Sequence, residues 1–219
     1  MNLKDALSQF KGASDENELH QKFRELAPVF LYGGYIQVRD DYKVYIRTVE
    51  FYFHSEKVDE VHDPIVYHRN GRDLDTVPYF PLMTLHAHAS GFDIAFESEA
   101  GEYRASALIR AYEVKDRDGK FLKWDKDKGK FVRSSNYGFN TQSTYLYALL
   151  NGFALGNGND VRWMDSPRQQ SIQVTEKRRQ NVYQYDAEGN KVKCERLWSF
   201  TREEQLLDDE SDNLYVRMA

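Results

Sequence analysis

The chain has 219 residues, enough to bury a hydrophobic core without disulfides or metals. Its hydrophobic fraction of 41% excludes a disordered chain, and its net charge of −5 argues against a dedicated polyanion binder, although a local basic patch would still serve one. The lone cysteine, Cys194, excludes an intrachain disulfide and fits a reducing compartment.

No apolar run approaches the ~20 residues that span a bilayer, and Met1–Leu7 does not lead into a signal-peptide core. The expectation is a cytoplasmic protein with no membrane partner. Aromatic residues make up 14% of the chain, with 15 Tyr and 13 Phe, which favours strands.

Residues 1–30 read as two helices broken at Gly12-Ala13-Ser14. Leu3, Ala6, Leu7 and Phe10 share one helical face, as do Leu19, Phe23 and Leu26. Ser14-Asp15-Glu16-Asn17 supplies caps for the second helix, and Pro28 is expected to stop it. Tyr35–Arg39 is a short strand. Tyr42–Glu50 is a stronger one, half-buried, with Tyr42, Val44 and Ile46 on one face and Glu50 at or near its end.

Residues 54–81 hold Pro64, Pro78 and Pro81 and three histidines, and read as a long excursion. Gly91–Phe96 and Ser106–Glu113 are further strands. Phe121–Trp124 and Phe131-Val132 form a lysine-rich hairpin around Asp127-Lys128-Gly129. A helix is expected over Thr141–Phe153, and a second hairpin over Val182–Tyr185 and Val192–Cys194. The acidic segment Glu203–Asn213 reads as solvated, within a tail over 203–219. No repeat or linker divides the chain. The fold class is α+β: a single β-rich domain over 1–219, with a mixed, mostly antiparallel curved sheet and a few packed helices.

Two segments carry candidate chemistry. In Val49–His54, a carboxylate at Glu50 emerges from an apolar strand, and desolvation raises the pKa of such a group into the range useful to a general base. The competing reading is a structural carboxylate paired with an arginine. In Leu85–Asp93, alternation puts His86 and His88 on one strand face. Two such histidines suit a metal, but the carboxylate and glycine that a cupin metal motif needs are out of step, so hydrogen-bonding roles are preferred and no metal is expected. Gly33-Gly34 and Gly156–Asn159 lack phosphate-loop or dinucleotide spacing, so no cofactor is expected.

The ordered segments together resemble the alkyladenine (3-methyladenine) DNA glycosylase family. Glu50-Phe51-Tyr52 stands where that family has a strand ending in Glu-x-Tyr, and Asp63-Pro64 through Gly71 stands where it has a turn with a pocket histidine. Leu85–Glu97, with Ser90-Gly91 inside it, matches a long strand carrying a Tyr-Gly pair, and Leu108–Glu113 follows a Leu-Leu-Arg-Ala-Leu-Glu strand. A helix at Ser143–Leu155 and a closing strand near Leu197–Phe200 have counterparts too.

The resemblance implies that Glu50 activates the water attacking the anomeric carbon, that Arg110 sits beside it, and that Tyr52 stacks on a flipped base. The pocket histidine falls on Tyr67, with His68 next to it and His62 as an alternative. The wedge tyrosine falls on Ser90 and the pocket asparagine on Glu97. Lys177-Arg178-Arg179 and the hairpin at 115–133 are candidate phosphate contacts. The partner implied is DNA or a nucleobase-containing ligand. A non-catalytic relative, binding a ligand or partner near Glu50 and His88, is the alternative. A histidine-based metal enzyme is a third.

Overall fold

A computed structural model of the chain describes residues 2–57, 60–63, 65–68, 78–150, 161–166, 173–185, 188–203, 205–206 and 215–216. Capping chemistry sets the start of each leading helix. Helix α1 spans Leu3–Gln9, and the Asn2 side chain accepts from the Asp5 amide at 2.8 Å. Helix α2 spans Glu16–Tyr32, and Asp15 Oδ1 accepts from the amides of Asn17 and Glu18 at 2.9 and 3.0 Å.

Helix α2 does not stop at Pro28, contrary to the sequence expectation. A proline inside a helix forfeits one hydrogen bond and crowds the preceding turn. Here the residues beyond it, Phe30, Leu31 and Tyr32, are all buried. Burying side chains of that size stabilises by about 1.5–3 kcal/mol each, which outweighs the local loss. The helix closes instead where Gly33 N–H donates to the Val29 carbonyl at 3.0 Å.

The rest of the chain is mainly strand. Strands β1 (Gly34–Val38), β2 (Tyr42–Ser55), β3 (Leu85–His88), β4 (Gly91–Ala95) and β5 (Tyr103–Asp116) come first. Then follow β6 (Phe121–Asp125), β7 (Lys130–Arg133), a 3-10 turn at Ser143–Leu146 leading into α3 (Tyr147–Leu150), β8 (Val161–Asp165) and β9 (Val174–Lys177). Strands β10 (Tyr183–Tyr185), β11 (Lys191–Lys193), β12 (Ser199–Arg202), β13 (Gln205–Leu206) and β14 (Tyr215–Val216) complete the set.

Ten strands make one sheet, with the order β3-β4-β5-β2-β1-β8. Strand β12 joins it on β2 and carries β9, while β6 joins on β5 and carries β7. The fold is α+β as expected. Every pairing among the described strands is antiparallel, so the expected mixed element is missing from them.

Further expectations change. Strand β2 runs five residues past Glu50, which is therefore interior to the strand. It is also buried on both faces rather than half-buried. The stretch Leu85–Glu97 is a hairpin rather than one long strand, because His88 pairs with Gly91 across Ala89-Ser90. The helix expected at Thr141–Phe153 starts as a 3-10 turn, and its part beyond Leu150 lies outside the described residues. In the acidic tail, β13 and β14 pair with each other.

Strands β2 and β5 form the long central ladder, and it is irregular at one place. Ile46 pairs with Tyr112, Thr48 with Ala111 and Val49 with Ile109, so Arg47 and Arg110 have no partner in that ladder. An unpaired extra residue switches the side-chain alternation of its strand. Before the irregularity Val44 and Ile46 are in the main apolar cluster; after it, Val49, Phe51 and Phe53 are. Strand β5 switches in the same way, from Val114 and Tyr112 to Ile109, Ala107 and Ala105. Helix α2 covers this face, with Phe23 stacked on Phe51 at 4.6 Å and Phe30 edge-on to it at 5.6 Å. The opposite face receives Glu50, Tyr52 and Arg110.

Pro28→Ala restores an amide donor within α2 and removes the ring clash, at the cost of a looser unfolded chain. The variant is expected to be more stable by about 1–2 kcal/mol in urea denaturation. Equal or lower stability would show that the helix is built around the proline.

Candidate functional site

Glu50 is fully buried at the centre of the polar face of the sheet. Its Oε1 accepts from the Gln180 backbone N–H at 3.1 Å, and its Oε2 accepts from the Tyr52 hydroxyl at 3.3 Å. Arg110 Nε lies 3.7 Å from Oε1, within ion-pair range but beyond a direct hydrogen bond, and has no hydrogen-bond partner among the described residues. The Arg110 side chain is 19% exposed, so this pair reaches toward the surface on one side.

Burial pushes the Glu50 carboxyl above its ordinary range, against the opposing pull of Arg110 and the Gln180 N–H. Burial, and next the Glu50 charge, hold the Tyr52 phenol well above its usual value, so Tyr52 stays a donor. The structure thus brings together Glu50, Tyr52 and Arg110, three residues that the sequence singled out.

A second group sits on the adjoining strands. His88 Nε2 lies 3.2 Å from Asp93 Oδ1, and Ser106 Oγ donates to Asp93 Oδ2 at 3.1 Å. The Ser90 amide approaches His88 Nδ1 at 3.2 Å. The serine donates to the aspartate and not to the histidine, and it is fully buried, so this is not a nucleophile–base arrangement. His86 packs against Phe80, Tyr67 and His88, with ring centroids 4.4, 4.8 and 6.0 Å away. Among the described residues no group of three or more His, Cys, Asp or Glu side chains could hold a metal ion.

Tyr67 is buried and donates to Glu97 Oε1 at 2.7 Å, while the Phe80 amide donates to Oε2 at 2.5 Å. Tyr67 has φ +58°, a left-handed conformation uncommon for a side chain of its size. Burial raises the Glu97 carboxyl, and Arg104 at 3.7 Å pulls against it. Glu97 thus anchors Tyr67 and the segment at Phe80. His68 lies in the 3-10 turn Val66–His68, and its side chain is outside the described residues, as is the Arg69–Arg72 segment beyond it. His62 is exposed. Ser90 lies in the β3–β4 turn.

Sequence reasoning missed the group that closes the site. Arg179 is only 1% exposed and ion-pairs with Asp63. It also donates to the Phe51 carbonyl at 3.2 Å and lies over the rings of Tyr52 and Trp198 at 4.7 and 5.0 Å. Arg179 is therefore not a phosphate contact, as the run Lys177-Arg178-Arg179 suggested, and its neighbour Arg178 pairs with Glu195. No local pattern signals a pair 116 residues apart.

A cavity of about 310 Å³ lies between α1 and α2, and one of about 350 Å³ is lined by Leu82, Glu97 and Tyr103 with part of α1. Neither is lined by Glu50, Tyr52 or Arg110. No described helix is long and apolar enough to cross a membrane. The chain matches no known family profile, no curated protein and no solved structure.

A raised carboxyl favours the folded state when it is protonated. The contribution of Glu50 is therefore fully present below the ordinary carboxylate pKa and is lost as pH rises through the raised folded value. Glu50→Gln, neutral and of the same shape, removes that dependence. Its stability relative to the parent, from urea denaturation, is expected to rise as the pH rises above about 4.5, the ordinary carboxylate value. A difference that stays flat, or that falls, would mean an unshifted or lowered carboxyl.

Proposed function

We propose that the chain is a glycosidase-type hydrolase that releases an alkylated or deaminated purine from a nucleic acid, with Glu50 as the general base. The observation that carries this reading is the incomplete neutralisation of a buried carboxylate: one backbone N–H, one phenol, and an arginine 3.7 Å away that makes no hydrogen bond to it. A raised carboxyl is suited to taking a proton from water as that water attacks an anomeric carbon. Arg110 would stabilise the carboxylate before the transfer. An alkylated purine leaves readily, so a base and a shaped aromatic pocket suffice and no metal or cofactor has to take part.

The base must be reached by water, and Glu50 has no exposed surface. Reaction through Glu50 therefore requires the segment carrying Arg179 and Gln180 to move, because it supplies both the N–H on Oε1 and the guanidinium over Tyr52. The same closure favours a second reading: a relative of such enzymes that binds a ligand or partner without chemistry, its Tyr52 face permanently filled by Arg179. The proposal also places the chain in the cytoplasm, where its buried free cysteine stays reduced.

The two readings separate on base release. Single- and double-stranded DNA carrying ethenoadenine, hypoxanthine or 3-methyladenine is incubated with the protein and with Glu50→Gln, and free base is quantified. The hydrolase reading expects release that falls by about 10²–10⁴-fold in the variant, the usual worth of a general base. No release from any substrate by the parent protein would leave the binding reading in its place.

A further inference from the structure

A concentration of positive charge lies away from Glu50. Residues 114–134 hold eight lysines and arginines against four aspartates, net +4 in a chain whose net charge is −5. This segment is the end of β5 and the whole β6–β7 hairpin. Part of its charge is internally neutralised: Arg133 pairs with Asp116 and Asp118, and Lys128 with Asp125. Lys126 and Lys130 are exposed and have no acidic partner among the described residues.

The same hairpin carries an aromatic platform, with Trp124 and Phe131 paired one residue in from Asp125 and Lys130. Trp124 stacks on Tyr145 with centroids 4.7 Å apart and planes 12° apart, and Phe131 meets Trp124 edge-on at 5.2 Å. All three are half-buried. The platform lies on the helix-covered face of the sheet, the reverse of the face that holds Glu50: Phe131 meets Tyr112 at 6.5 Å and Tyr147 meets Phe92 at 4.8 Å. Tyr145 belongs to the 3-10 turn whose Ser143 Oγ accepts from the Phe92 amide at 3.0 Å, and Tyr147 just after it donates to the His88 carbonyl.

Exposed cations beside stacked aromatic rings fit a polyanion that also presents flat faces. We infer that the β6–β7 hairpin and the Ser143–Leu146 turn form a docking surface for a single-stranded nucleic acid. Lys126 and Lys130 take phosphates, and the Trp124–Tyr145 pair takes a base. An unpaired strand fits better than a duplex, because a base offers its face to an aromatic ring only when it is unstacked. The neighbouring β3–β4 turn carries only Ala89 and Ser90, with no bulky side chain to open a base step. The inference deepens the glycosidase reading, on which it rests for the purpose of the bound strand, by naming the form of the substrate.

The test is fluorescence anisotropy with undamaged labelled oligonucleotides: a thymidine DNA strand, a uridine RNA strand and a DNA duplex, at several salt concentrations. The parent is expected to bind one or both single strands more tightly than the duplex. Lys126→Glu with Lys130→Glu should weaken binding at least tenfold and lower the salt slope by about 1.4, or about 0.7 per lost phosphate contact. Trp124→Phe with Tyr145→Ala should weaken it by roughly five- to a hundredfold with little change in salt slope.

A control pair, Lys191→Glu with Lys193→Glu on β11, changes net charge equally and should leave binding as it was. Parent-like binding by the hairpin variants, an equal loss in the control, a duplex preference or no binding at low salt would each overturn the inference. Catalysis plays no part in this readout. Strand binding without base release would sink only the glycosidase reading, and base release without hairpin-dependent binding would sink only the docking surface.

Discussion

Beyond Ile46 the chain keeps Val49, Phe51 and Phe53 under the helices only because Arg47 and Arg110 drop out of the β2–β5 ladder. In a regular strand, alternation from Val44 and Ile46 would carry Thr48, Glu50 and Tyr52 to the apolar face. One extra residue on each strand reverses this and preserves the pairing, with Ile46 opposite Tyr112 before and Val49 opposite Ile109 after. The two arginines are the residues displaced. Arg47 reaches Glu113 at 3.3 Å, and Arg110 approaches Glu50 at 3.7 Å. A single irregularity thus sets the apolar core, the polar face and the cations that serve its carboxylates.

The two carboxylates so served are not treated alike. Glu113 receives Arg47, Arg202 Nη2 at 2.7 Å and the Tyr137 hydroxyl at 2.7 Å. Two arginines on one carboxylate give the charge compensation that a buried charge needs simply to break even, since desolvation offsets most of the attraction. Glu50 has two weaker hydrogen bonds and an arginine beyond bonding distance, and burial raises its pKa. A structural carboxylate is better served by the first arrangement. The second leaves the Glu50 carboxyl raised by burial, which is what the proposed general-base role rests on. Arg179 and Asp63 complete the contrast, since they neutralise each other and roof Tyr52.

Elements with local signals were legible in the sequence. The caps at Asp15 and the turn at Lys128-Gly129, where Gly129 has φ +59°, placed α2 and the β6–β7 hairpin. Strands β8 and β9 carried no usable pattern. They are half-exposed, and their conformation follows from pairing with β1 and β12. The switch in β2 did leave a trace, because its apolar residues are even-numbered up to Ile46 and odd-numbered from Val49. Of the site, Glu50, Tyr52 and Arg110 were found through their short motifs. The closure by Arg179 was not, because a tertiary ion pair has no sequence period.

Deletion of Arg47 tests the register account most directly. If Arg47 is the extra residue, removing it leaves Val44, Ile46, Val49, Phe51 and Phe53 in simple alternation. The variant should fold, with a native near-UV circular dichroism spectrum and cooperative thermal unfolding, though at a lower midpoint because Glu113 loses one of its cations. If β2 were instead regular through this region, the same deletion would turn every later side chain to the wrong face. A variant without near-UV signal or cooperative unfolding would contradict the account.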